Sequence, residues 1–196
     1  ILTPSLKRSS RKSQKADIPV KRIRKSGPPL ALAVIILSRN REDRMQSKLL
    51  SNDSERVFIL VVEPGEEAFE TIRHFAIKHD INAASVSAIG AFEETMLAFF
   101  DLQSRRYQHI PVTVQSEVLS LIGDITLNEK GEPHPHLHAV LGLSDGQTRG
   151  GHFVKGYVKP TLEVIIRETP ASLKRSYNPD FGIALIDIDL SDRTNE

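Results

Sequence analysis

Pro133-His134-Pro135-His136-Leu137-His138-Ala139-Val140-Leu141-Gly142-Leu143 alternates in character over most of its length. Successive side chains of a strand point to opposite faces, so Leu137, Ala139, Leu141 and Leu143 form an apolar face while His136 and His138 project together from the other. Two strand positions are separated by about 6.6 Å of backbone, and from there both imidazoles can reach one metal ion. A third ligand is available in Gly150-Gly151-His152. The turn Ser144-Asp145-Gly146 can return the chain beside the first strand, and the two glycines permit a close backbone approach. His134, at the strand entrance beside Pro135, is the weaker candidate, and the isolated His74, His79 and His109 read as surface or helix-end residues. Three neutral imidazoles suit zinc and leave a fourth position open for water or a ligand. The other reading of these residues is a solvated, histidine-rich strand end, because an HxH pair alone is a weak signal.

Outward from this stretch, strand signals dominate. Val57-Phe58-Ile59-Leu60-Val61-Val62 is a continuous apolar run expected of a strand covered on both faces. Pro64-Gly65 then turns the chain into Glu66-Glu67, acidic residues suited to a helix N-terminus. Ala68, Phe69, Ile72, Phe75 and Ala76 follow at helical spacing, predicting one amphipathic helix ending near His79-Asp80. Residues 83–89, 95–100, 117–127, 137–143, 162–167 and 183–190 read as further strands, separated by turn signals at Gly90, Asn128-Glu129-Lys130-Gly131, Ser144-Asp145-Gly146 and Lys159-Pro160. The pattern predicts a single compact α/β (α+β) domain over residues 48–192, with a mostly antiparallel or mixed central sheet flanked by helices.

Charge divides the chain. Residues 1–44 hold 12 Lys+Arg against 3 Asp+Glu, whereas residues 45–196 hold 14 against 22, so a net charge of +1 conceals a basic tail and an acidic domain. Residues 1–47 read as a disordered tail, with clusters such as Lys7-Arg8 and Lys21-Arg22-Ile23-Arg24-Lys25 among Ser and Pro. Met45 opens the stretch where globular patterning begins and reads as a native start; the competing reading of the tail is a nucleic-acid-binding arm. The longest apolar run, Leu30 to Leu37, is eight residues against the roughly 20 needed to span a bilayer, so no membrane helix is expected. It also lies too far from the start for a secretory signal, and cysteine is absent, which together point to the cytoplasm. No GxSxG elbow, P-loop or GxGxxG after a strand is present.

The order of motifs resembles the PPC (plants and prokaryotes conserved) family. The resemblance rests on Arg56 to Pro64, Ser87-Ala88-Ile89-Gly90-Ala91, Phe99-Phe100-Asp101, Glu117 to Asp124, His136 to Gly142, Gly150-Gly151-His152 and Pro160 to Val164. It implies a homotrimer and a DNA-binding, regulatory role. Some prokaryotic members carry a zinc-binding His cluster, matched here by His136, His138 and His152. The Arg-Gly-Arg-Pro core of the plant AT-hook is absent, the nearest fragment being Arg24-Lys25-Ser26-Gly27-Pro28. Of a plant partner-binding segment, Gly-Arg-Phe-Glu-Ile-Leu, Val114 to Leu119 keeps only the second half. The alternative expectation is a zinc-dependent enzyme or small-ligand-binding protein, with Asp101, Glu117 or Glu163 as base.

Overall fold

The computed structural model describes residues 46–52, 55–169 and 171–193. The basic clusters, the apolar run at 30–37 and Met45 lie outside them. The elements are β1 (Gln46–Asn52), β2 (Arg56–Val62), α1 (Ala68–Lys78), β3 (Ala83–Asp101), β4 (Arg106–Val112), β5 (Ser116–Leu127), β6 (Pro133–Gly142), β7 (Thr148–Glu168), β8 (Ala171–Asn178) and β9 (Ile183–Arg193). The nine strands form one sheet, along which β1-β2-β7-β3-β5-β8-β9 are successive neighbours. All pairings are antiparallel except β5 with β8, so the sheet is mixed, as predicted.

The pairing closes on itself. β3 is bonded to β5 and β7, and β6 joins the same two strands along their other edges. The closure depends on the length of β7, which pairs with β6 over residues 148–152 and with β2 over residues 162–167 while keeping β3 beside it. Leu121, Ile125, Leu137, Leu141, Phe92 and Phe153 are fully buried inside, and Phe92 stacks on Phe153 with centroids 5.4 Å apart.

Two turns predicted from sequence are bends within long strands. Gly90 has φ +153 and sits in a register shift of β3; a Cβ there would lie 2.3 Å from the Thr161 carbonyl oxygen. It therefore supplies a bulge. Pro160 falls where the β3–β7 register skips between Phe92↔Val158 and Gly90↔Leu162, so its missing N–H removes no regular ladder bond.

The expected flanking helices reduce to one among the described residues. The sequence between the other strands is consumed by tight turns and by strand extension, which leaves no room for a second. α1 buries Ala68, Ile72, Phe75 and Ala76 and packs against β6 and β7. Its N-cap Glu67 accepts hydrogen bonds from the Phe69 and Glu70 amides at 3.0 and 2.8 Å. The same carboxylate accepts from the Gly156 amide of β7 at 2.9 Å, fastening the helix start to the sheet. At the far end His79 lies against Phe75, centroids 4.3 Å apart, as a helix-end residue. No helix among the described residues is long and apolar enough to cross a membrane.

Phe75 has no exposed surface, whereas Ile77, two residues on, is 40% exposed. Phe75→Ala is expected to lower stability by about 3–5 kcal/mol and Ile77→Ala by less than about 1 kcal/mol, read from urea unfolding midpoints.

Candidate metal centre

The apolar face read from residues 133–143 is the buried one: Leu137 and Leu141 are fully buried and Ala139 nearly so. The opposite face must then carry the histidines, and the register does the rest. His138 pairs directly with His152 across β6 and β7, while His136 pairs with Asp124 across β6 and β5. The return turn expected at Ser144-Asp145-Gly146 makes the first of these pairings, with Gly146 at φ +79. Gly151 provides the close approach: a Cβ there would stand 2.6 Å from the Ala98 carbonyl oxygen, so the residue beside His152 has to be glycine for β7 to lie this near β3.

Three imidazoles therefore converge. One ring nitrogen from each of His136, His138 and His152 lies within 4.8 Å of those of the other two, and ring centroids are 5.1–5.4 Å apart. His138 is exposed and the other two are half-buried, so the cluster faces outward from a semi-protected floor. His134 stands apart from this group, its ring edge-on to Phe69 of α1 at 5.4 Å. His74 and His109 are exposed.

The electrostatics favour neutral rings at His136 and His152. Burial pushes His152 down to about 4, helped by the neighbouring imidazoles and Arg175. Burial also lowers His136, with the Arg175 charge acting in the same direction and Asp124 opposing it. Neutral imidazole is the form that offers a lone pair to a metal. His152 Nδ1 is buried and has no hydrogen-bond partner among the described residues, a polar atom that coordination would satisfy. The donor set and this orphaned nitrogen both fit a divalent transition metal of the zinc type.

The surroundings include residues that sequence reasoning did not single out. Arg175 of β8 donates through Nη2 to both oxygens of Asp124 at 3.0 Å and to His136 Nδ1 at 3.1 Å. Asp124 Oδ2 is 4.0 Å from His136 Nδ1. Tyr107 of β4 lies over His152 with ring centroids 5.0 Å apart. Asp124 could have been found by pairing residues 117–127 against 133–143; Arg175 and Tyr107 sit in polar stretches without periodicity. Of the expected bases, Asp101 is held in the β3–β4 turn, where it accepts from the Ser104 amide at 2.6 Å, and Ser104 keeps its carboxyl below the usual range. Glu117 and Glu163 line a shallow groove on the outer sheet face with Ile89 and Leu119.

Comparison with known proteins agrees with this architecture. The family model of the Plants and Prokaryotes Conserved (PCC) domain matches residues 50–170. A plant- and prokaryote-conserved protein from Pyrococcus horikoshii is 32% identical with a TM-score of 0.64, over 67% of this chain and 91% of that one. A protein from Archaeoglobus fulgidus described as metal-containing is 25% identical, TM-score 0.64, over 74% and 99%. A candidate DNA-binding protein from Bacteroides thetaiotaomicron is 24% identical, TM-score 0.67, over 73% and 98%, a likeness of fold alone. No curated protein sequence matches the chain.

The depressed His152 sets a pH dependence. Between about 4 and its ordinary 6.5 the folded ring stays neutral while the unfolded one binds a proton, so stability is full above 6.5 and is lost as pH falls through that window. In chelator-treated protein the urea midpoint is expected to drop from pH 7 to pH 4, and His152→Phe should make the drop shallower.

Proposed function

Because the chain belongs to the Plants and Prokaryotes Conserved domain family, we propose that it is a cytoplasmic, homotrimeric DNA-binding module with a regulatory role, carrying a zinc ion on His136, His138 and His152. Family membership is the observation that carries the DNA reading. The description of the Bacteroides thetaiotaomicron relative as a candidate DNA-binding protein agrees with it. The described domain is acidic as a whole, so contact with phosphates falls to local cations. Arg105 and Arg106 at the β3–β4 hairpin and Arg149 and Lys155 on β7 are exposed and supply them. The one helix among the described residues, α1, is packed on β6 and β7, and contact of this kind would be backbone- and shape-based.

Self-association is supported by the outer sheet face, where Ile89, Leu119 and Ile122 are 60%, 55% and 57% exposed and gather with Ile59 and Ile165 around Glu163. Apolar side chains grouped in this way mark a contact surface. The metal reading is supported by the convergence of three imidazoles and the orphaned His152 Nδ1, and by the metal-containing relative from Archaeoglobus fulgidus. When bound, zinc on three imidazoles supplies a Lewis-acidic position open to water or a ligand.

That open position favours a second reading, a zinc-dependent enzyme or small-ligand-binding protein. Its weakness is the base: Asp124, the carboxylate nearest His136, is engaged by Arg175, and Asp101 is engaged by Ser104.

Fluorescence anisotropy of a labelled A·T-rich duplex, titrated with the full chain at about 0.15 M salt, tests the DNA reading. Saturable binding that weakens at least fivefold in Arg105→Glu/Arg106→Glu is expected; no binding overturns it and leaves the ligand-binding reading. Light scattering is expected to give three times the chain mass, falling to one in Ile122→Asp; a monomeric wild type contradicts the trimer.

A further inference from the structure

Arg175 stands on β8, past residue 170 where the family match ends, yet it reaches into the histidine cluster. Its side chain is only 12% exposed. Nε donates to Thr126 Oγ1 at 3.0 Å, Nη1 reaches the Ala184 carbonyl at 3.4 Å, and Nη2 serves Asp124 and His136 together. The guanidinium is thus fixed on three sides before it meets the imidazole.

The chemistry of that meeting is restrictive. Arginine offers donors only, so His136 Nδ1 must accept with its lone pair. A neutral imidazole has one such lone pair, and its proton is then on Nε2. Coordination by His136 needs a lone pair directed at the metal. At Nδ1 that lone pair is already taken by the guanidinium. At Nε2 it becomes available only if the proton moves to Nδ1, where it would confront the Arg175 donor. By either nitrogen, the Arg175–His136 hydrogen bond and coordination by His136 exclude each other.

We propose that Arg175 competes with the metal for His136 and so sets the affinity of the centre from the C-terminal hairpin. The inference rests on the metal reading above. Asp124 completes the device. Its Oδ2 lies 4.0 Å from His136 Nδ1, too far for a hydrogen bond as the ring stands, but the carboxylate that anchors Arg175 is the one a protonated Nδ1 would turn to once the guanidinium bond is broken. A carboxylate behind a ligating histidine orients the ring and strengthens it as a donor. Arg175 and Nδ1–H thus share one carboxylate, and the partition between them decides whether His136 is ready to ligate. The guanidinium charge beside the site disfavours a cation as well, in the same direction.

The test is the zinc affinity of the full chain at pH 7, by competition with a chromogenic chelator, in wild type and in Arg175→Met, which keeps much of the apolar stem. Arg175→Met is expected to bind about tenfold more tightly. Equal or weaker binding, with wild type taking up zinc, overturns the competition and leaves the metal centre standing. No uptake by either protein overturns both. Loss of charge alone would also tighten binding, so nitrogen NMR of the imidazoles in zinc-free wild type supplies a readout independent of the variant. His136 is expected with its proton on Nε2 and an accepting Nδ1; a proton on Nδ1 overturns the proposal.

Discussion

Strand β6 has to be paired on both edges, and that requirement organises the molecule. Its inner side chains Leu137, Ala139 and Leu141 are in the core, so its backbone groups cannot turn to water and must find β5 on one side and β7 on the other. β5 and β7 in turn both pair with β3, and the circuit closes. A one-residue slip in either β6 ladder would put the histidines inside and the leucines outside. The burial that sets the register therefore also sets the positions of His136 and His138, and through the His138↔His152 pair the third imidazole as well.

The site inherits its rigidity from this arrangement. All three histidines stand on paired strands instead of loops, and Gly151 lets β7 sit close enough to β3 for His152 to be half-buried. Half-burial, with the Arg175 charge acting in the same direction, favours neutral rings at His136 and His152, which is costly in acid but leaves a lone pair for a metal. The outer face shows a similar economy: the strand alternation that fills the core also leaves Ile89, Leu119 and Ile122 facing outward beside the Glu117 and Glu163 carboxylates.

Much of this was legible in the sequence because it is local. Alternation in residues 133–143, the turn at 144–146 and the glycines before His152 are short-range signals, and α1 announces itself through Glu67 and the spacing of Ile72, Phe75 and Ala76. What was not legible is long-range or polar. β4 is exposed almost throughout and contains Pro111, and β8 reads Ala-Ser-Leu-Lys-Arg-Ser-Tyr-Asn; neither has an apolar period to declare it a strand. Tyr107 and Arg175 were hidden with them. Gly90 and Lys159-Pro160 looked like chain reversals because the same residues serve turns and bulges, and only the pairing partner distinguishes the two. Among the described residues fewer helices formed than the fold class suggested, since β3 and β7 use 19 and 21 residues for strand.

Strand pairing brings three imidazoles together, and the proposal is that they hold one metal ion. X-ray absorption at the zinc edge on the loaded full chain tests it most directly. The account predicts a first shell of nitrogen and oxygen donors at about 2.0–2.1 Å, with outer-shell scattering from three imidazole rings that falls to two in His152→Ala. A shell without imidazole scattering, or one that His152→Ala leaves unchanged, would contradict it.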